Sequence, residues 1–373
     1  MREQVEAQKH AHEQWMRRAI DFARKGEGLT RPNPPVGAVI VRDGRVVSEG
    51  YHRKAGGPHA EIEALRSAKG KSLAGSTLYV TLEPCSTWGR TAPCTDAIRA
   101  SGIRTVVIGT RDPNPAHCGR GIRLLRRCGI RVVEHVCEAE ARELIEPFAS
   151  WVIKKRPLVT LKLGMSLDGR IADCDGCSRW ITGPLSRSRV QELRRRVDGI
   201  LVGRGTVRVD DPSLLPRPAR GRRPLRIVVA TGGGIPPNSQ VLTDRYADRT
   251  IVAVGKRCPQ RTVERLELTG AQVLKLRVEN GRVSLIDLLK RLGEMGLLHV
   301  ECEGGGVLAE ALIRAGLVDH YALFVAPTII GGERAKGAVD GRGWSLLEAP
   351  RVEICSVERV GRDLLIHARP RKG

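Results

Sequence analysis

Aromatic side chains are scarce: three Phe, four Tyr and five Trp stand in 373 residues. Proteins that hold single-stranded nucleic acid stack bases on such rings along a cationic groove. The low count therefore argues against a nucleic-acid partner, although the chain is strongly basic. It carries 63 Lys and Arg against 41 Asp and Glu, a net charge of +22. That balance suits a substrate bearing phosphate, with the remainder a solvated Arg-rich surface. Apolar runs long enough to span a bilayer are missing. The opening residues, Met1-Arg2-Glu3-Gln4-Val5-Glu6, lack the apolar core of a secretory signal. The expectation is a cytoplasmic protein with no membrane partner. Ten cysteines in a chain of this length do not form a disulfide framework; in a reducing compartment they read as metal ligands or buried thiols.

What is present is a ligand set. Pro58-His59-Ala60-Glu61, Thr81-Leu82-Glu83-Pro84-Cys85 and Pro93-Cys94 bring one imidazole and two thiolates. His59, Cys85 and Cys94 make three ligands for Zn2+ and leave a fourth tetrahedral position for water, the mark of a catalytic site. Zinc acidifies such a water, and a carboxylate must then carry protons; Glu61 is placed to do so. His59 and Cys94 each precede a run that reads as a helix start, and helix N-termini favour thiolate over thiol. H-x-E with P-C-x-x-C marks zinc nucleobase deaminases. Here the second half is P-C-x8-C, so the match lies in the chemistry rather than in the short spacing. A structural zinc site would need a fourth protein ligand, for which Cys118 and Cys128 are the candidates by spacing. Cys174-x-x-Cys177 has no partner pair and reads as incidental.

The length predicts two domains. Residues 1–150 read as a zinc-dependent deaminase domain and 157–373 as a second domain, with Lys154-Lys155-Arg156-Pro157 at the boundary. In the first, the periodicity predicts a helix over 13–25, strands at 36–41, 46–48, 77–82, 106–109 and 132–135, and helices at 121–127 and 137–150. Alternating strands and helices imply an α/β layered domain. Asn33, in the turn Pro32-Asn33-Pro34-Pro35, offers donor and acceptor to a base edge or caps the turn; His52 is a second substrate candidate or a loop histidine. The second domain reads as strands at 158–162, 199–202, 226–230, 251–254, 298–302, 321–326, 352–359 and 363–368, with helices at 185–197, 285–295 and 308–314. The loop 217–223 is rich in Pro and Arg and is expected to be mobile. Glu303-Gly304-Gly305-Gly306, between a strand and a helix, suits a phosphate. It is not G-x-G-x-x-G, so the Rossmann fingerprint is absent.

Laid end to end, these marks resemble the bifunctional riboflavin biosynthesis deaminase/reductase family. The resemblance rests also on Val36-Gly37, Gly89-Arg90-Thr91, Asp112-Pro113-Asn114-Pro115, Leu161-Lys162-Leu163-Gly164, Ser166-Leu167-Asp168-Gly169-Arg170, Trp180-Ile181-Thr182 and Asp210-Asp211-Pro212. It implies an α/β protein: an N-terminal cytidine-deaminase-like three-layer domain and a C-terminal dihydrofolate-reductase-like domain that binds NADPH. It implies hydrolytic deamination of 2,5-diamino-6-(5-phosphoribosylamino)pyrimidin-4-one, then reduction of the ribosyl chain to ribityl. By the same resemblance Asn33, His52 and Arg90 are substrate positions of the deaminase, and Ser178, Arg194, Leu214, Arg217 and Glu303 substrate positions of the reductase. Gly164, Trp180, Thr206, Asp210, Thr231, Gly305, Gly306, Val307 and Leu308 are NADPH positions. Thr87 stands where the family carries His, and the reductase has no evident proton donor. A phosphorylated pyrimidine is the expected small-molecule partner, and a homo-oligomer the expected assembly. The alternative is a zinc deaminase acting on RNA with a C-terminal binding domain.

Overall fold

A computed structural model describes residues 2–89, 92–218 and 223–371. Contacts divide the chain into two compact units, Met1–Lys155 and Arg156–Gly373.

In the first unit α1 (Arg2–Arg24), β1 (Gly37–Arg42), β2 (Arg45–Tyr51), α2 (Ala60–Ser67), β3 (Thr77–Leu82), α3 (Cys94–Ala100), β4 (Thr105–Thr110), α4 (Arg120–Arg127), β5 (Arg131–Val133) and α5 (Glu138–Lys154) follow in order. The sheet runs β2-β1-β3-β4-β5. β1 is antiparallel to both neighbours, while β3, β4 and β5 are parallel. β1 and β3 are apolar on both faces because both faces are covered. Ala38, Ile40, Leu78 and Val80 pack on Ala64 of α2, Ile98 of α3 and Leu125 of α4. Val39, Tyr79 and Val107 pack on Met16 and Ile20 of α1 and Ala141 of α5. The result is a three-layer helix–sheet–helix unit. Parallel β3 and β4 send their C-terminal ends to one edge, where such sheets place their ligands.

The second unit begins with β6 (Leu158–Ser166) and β7 (Arg170–Ala172), then α6 (Pro184–Arg196), β8 (Gly199–Gly203), α7 (Arg204–Asp210), β9 (Leu225–Val229), α8 (Gln240–Thr243), β10 (Thr250–Gly255), α9 (Gln260–Glu267) and β11 (Gln272–Leu276). It closes with β12 (Val278–Glu279), β13 (Arg282–Val283), α10 (Leu285–Glu294), β14 (His299–Cys302), α11 (Gly306–Arg314), β15 (His320–Ala326), β16 (Lys336–Gly337), β17 (Val352–Val360) and β18 (Asp363–Pro370). Nine strands form one sheet in the order β11-β10-β9-β8-β14-β6-β15-β18-β17. It is parallel up to β15 and antiparallel at β18 and β17. One face packs on Leu288, Leu292 and Leu312 of α10 and α11. The other carries Ile200, Val202, Val228 and Val252 against Val263 and Leu266 of α9, and Phe324 and Ala322 against Val190 of α6. Arg226 of β9 is fully buried, yet its guanidinium is satisfied by Asp244, Thr250 and the Tyr246 carbonyl, as a buried charge must be.

Candidate active sites

In the first unit three elements deliver the metal-binding atoms. His59 is the N-cap of α2, Cys94 the first residue of α3 after Pro93, and Cys85 lies in the loop leaving β3. His59 Nδ1 is 3.3 Å from Cys94 Sγ and 3.5 Å from Cys85 Sγ. The three donor atoms lie within 4.8 Å of one another. One imidazole nitrogen and two sulfurs at that separation fit a tetrahedral zinc ion with one position left over. Among the described residues the group has three members; Cys118 and Cys128 are exposed. The Cys94 backbone N–H donates to Cys85 Sγ (3.3 Å), so the start of α3 itself stabilises the thiolate. The side-chain contact with the Cys94 thiol holds the Cys85 thiol well below its usual range, and the same contact pushes Cys94 up. Glu61, in the first turn of α2, is 4% exposed. Burial, and then the neighbouring Cys85 charge, push its carboxyl up to about 7.

The substrate-side residues of this unit form a chain. Asn33 Nδ2 donates to His52 Nε2 (3.1 Å), and His52 Nδ1 donates to the Pro58 carbonyl (2.8 Å), one residue before His59. That pair of bonds fixes the His52 tautomer. The ring is 2% exposed and stands edge-on to His59 at 5.4 Å, so it is not the exposed loop histidine of the alternative reading; burial lowers its pKa. Asn33 also closes its own turn with Thr30, through its N–H and carbonyl. Thr87 is half-buried and Trp88 exposed. Arg90 lies outside the described residues.

Sequence reasoning missed Glu83. It is 5% exposed, and its carboxylate accepts the N–H groups of Asp112, Gly119, Gly121 and Ile122 at 2.8–3.4 Å. It thereby ties the 112–122 segment to the loop that carries Cys85. Gly121 is required there, since a Cβ would collide with the Pro84 carbonyl oxygen. A carboxylate at the end of an otherwise apolar strand, directly before Pro-Cys, was the available signal. Glu83→Ala should lower stability by about 3 kcal/mol and zinc affinity about 10–100-fold, read by thermal unfolding and chelator competition.

In the second unit the charged centre is Glu303, at the C-terminal end of β14. Arg194 of α6 grips it in a fork, Nε to Oε1 at 2.5 Å and a terminal nitrogen to Oε2 at 2.7 Å. Lys162 Nζ of β6 lies 3.7 Å from Oε2. Lys162, like Glu83, was quoted within a motif but not singled out. Burial works against ionisation of Glu303, and Arg194 with Lys162 outweighs it, holding the carboxyl well below the usual range. Arg194 also donates to the Leu215 carbonyl, so its guanidinium is committed within the protein. Arg217 is exposed and meets α6 through its backbone, donating to Gln191 and accepting from Arg195. Leu214 is 2% exposed with φ +56°, so it can meet a substrate only through its backbone. The Pro- and Arg-rich loop lies partly outside the described residues, at 219–222.

Of the positions carried over for NADPH, Thr206 and Gly305 meet just beyond the C-terminal ends of β8 and β14. Gly305 (φ +30°) caps α11, whose first two N–H groups, those of Gly306 and Val307, have no intrahelical acceptor. Among the described residues the one atom near a Cβ at Gly305 would be Thr206 Oγ1 at 3.6 Å, and Gly203 and Gly205 have none within 4 Å. This glycine-lined opening beside a helix N-terminus fits a phosphorylated cofactor. Val307 is exposed, while Leu308 packs in the core and its N–H already donates to the Gly305 carbonyl (3.0 Å). Ser178 donates to Asp210 at 2.6 Å. Trp180 is 59% exposed, with the Arg187 guanidinium 4.6 Å from its ring centre. Gly164 abuts Thr182, and Thr231 Oγ1 accepts from Val283 N.

Comparison with known proteins agrees with both halves. Residues 9–110 match the family model described as the cytidine and deoxycytidylate deaminase zinc-binding region, and 157–366 the one described as the RibD C-terminal domain. The chain is 43% identical over 354 residues to the riboflavin biosynthesis protein RibD of Aquifex aeolicus, covering 94% of this chain and 96% of that protein. It is 38% identical to that of Escherichia coli, with 95% and 98% covered. Among solved structures it superposes on Acinetobacter baumannii RibD with a TM-score of 0.87 at 33% identity, covering 98% of this chain and all of that one. The Thermotoga maritima protein described as a diaminohydroxyphosphoribosylaminopyrimidine deaminase/5-amino-6-(5-phosphoribosylamino)uracil reductase gives a TM-score of 0.86 at 38% identity, with 97% and 99% covered.

Proposed function

The chain belongs to the RibD family of riboflavin biosynthesis proteins, and from that premise we propose how its residues divide the two reactions. It is a deaminase and a reductase, uses Zn2+ and NADPH, and acts on phosphorylated pyrimidines. An RNA-directed deaminase is not favoured. No helix among the described residues is long and apolar enough to cross a membrane. The first unit would deaminate 2,5-diamino-6-(5-phosphoribosylamino)pyrimidin-4-one and the second would reduce the ribosyl chain of the product to ribityl. The reading further takes the protein as cytoplasmic and homo-oligomeric, the latter checked by light scattering.

The observation that carries the deaminase is the meeting of His59 Nδ1, Cys85 Sγ and Cys94 Sγ beside a buried Glu61. Those three would hold zinc, which supplies the Lewis acidity that makes a water acidic near neutral pH. Glu61 takes the proton of the attacking water and returns it to the departing amine. His52, locked by Pro58, orients the Asn33 amide and leaves its oxygen for an amino group on the pyrimidine edge. In the reductase, Glu303, held by Arg194 and Lys162, faces the sugar, while Ser178 and the Leu214 backbone bound it and Arg217 draws the phosphate. The N–H groups of Gly305, Gly306 and Val307 hold cofactor phosphate, with Leu308 anchoring that turn in the core and Gly164, Trp180, Thr206, Asp210 and Thr231 along the cofactor's length. NADPH supplies the hydride.

Chelation tests the division. Removing zinc should abolish ammonia release and leave NADPH oxidation unchanged when the deaminated pyrimidine is supplied; zinc should restore the first. Ammonia release that persists in metal-free protein would refute the deaminase reading.

A further inference from the structure

Glu301 lies two residues before Glu303 on β14, so both carboxyls project from the same face of the sheet. It is 1% exposed, and its Oε1 has no hydrogen-bond partner among the described residues. The two carboxyls are close enough for each to shift the ionisation of the other. Lys162 of β6 and Arg194 of α6 are the cations beside the pair. On β8 Ile200 stands opposite Glu301. His299, earlier on β14, bonds Thr160 of β6, and Asp198 takes the N–H groups of Leu298 and His299. Burial, and then the Glu303 charge, push the Glu301 carboxyl well above the usual range, so it is protonated while Glu303 is ionised.

Reduction of a ribosylamino group to ribitylamino consumes one hydride and one proton. The hydride goes to the sugar carbon bonded to nitrogen, the bond from that carbon to the ring oxygen breaks, and that oxygen gains the proton. The cofactor accounts for the hydride alone. We propose that Glu301 stores this proton and passes it to the substrate through Glu303, as a positioning residue behind the carboxylate that faces the sugar. The inference rests on the reading of the second unit as the ribosyl reductase. Glu301 passes its proton to Glu303, which is ionised at rest, and Glu303 gives it to the ring oxygen. The pair is then doubly negative against Lys162 and Arg194, and water reprotonates it after product leaves. A buried acid also costs stability. With its folded pKa raised above the ordinary 4.5, Glu301 favours the folded state below that value and loses this as pH rises toward the folded pKa.

Glu301→Gln keeps the shape and can still donate to Glu303, but has no proton to give. With the deaminated pyrimidine and NADPH supplied, kcat should fall at least about tenfold with both KM values unchanged, and the alkaline fall of wild-type kcat should be lost. Glu301→Asp should restore part of it. Without any cofactor, the infrared C=O stretch of a protonated carboxyl should be weaker in Glu301→Gln than in wild type, and the variant should be more stable than wild type above pH 4.5. A variant with wild-type kcat and pH profile, or one losing kcat, KM and stability together, overturns the proposal. Wild-type protein that oxidises no NADPH would instead sink the reductase reading, and the infrared band would still report the buried proton.

Discussion

Glu61→Gln keeps its zinc and releases ammonia about a thousandfold more slowly than the wild-type protein, the middle of the range for losing a positioned proton carrier. The substitution is nearly isosteric and removes none of the three ligand atoms, so the metal content should stay at the wild-type level. Glu61 sits at 4% exposure in the first turn of α2, whose N-cap is the ligand His59. Its position is therefore fixed by the same backbone that fixes the metal. His52, the nearest imidazole that is not a ligand among the described residues, cannot replace it, because it already spends both ring nitrogens on Asn33 and Pro58. Metal analysis, an ammonia assay, and NADPH oxidation on the deaminated pyrimidine as a control make the measurement. A loss under about tenfold would mean that protons reach the amine by another route.

The metal set was legible because zinc chemistry tolerates few residue types, and His59, Glu61, Cys85 and Cys94 occur next to runs with clear helix or strand periodicity. The apolar strands β1, β3 and β4 were legible for the same reason. Where packing does not depend on apolar period, the reading fell short. α1 begins at Arg2 rather than near residue 13, since residues 6–11 are exposed and helical by propensity alone. α5 runs on to Lys154, through Pro147 and past the expected end at 150. The strand expected to reach His135 stops at Val133, and His135 turns to φ +65°. α7 and α9 are mostly polar and were not anticipated. Glu83 and Glu301 stayed hidden because a carboxylate in a strand reads as a solvated residue until its neighbours are known. Arg194 was assigned to substrate by resemblance, and only the fold shows that its partner is Glu303.

Arg194→Met should abolish NADPH oxidation on the deaminated pyrimidine, by about a hundredfold or more, and leave ammonia release unchanged. The pair is nearly dry, with 12% and 7% of the two side chains exposed. Removing the guanidinium leaves Glu303 with Lys162 alone, 3.7 Å away, and beside a second buried acid. Breaking such a pair costs about 3–5 kcal/mol. The sign of its pH dependence follows from the direction of the shift. In the wild type Glu303 is held below its ordinary value of 4.5, so the pair's contribution is present above that pH and lost as pH falls through the folded value. In Arg194→Met the contribution is already gone at neutral pH, and acid should narrow the stability gap between the two proteins. Adding Glu303→Leu removes the stranded charge and should return most of the stability while activity stays lost. If the double variant regains NADPH oxidation, or if Arg194→Met is as active as wild type, the Arg194–Glu303 fork is scaffolding and the sugar is held elsewhere.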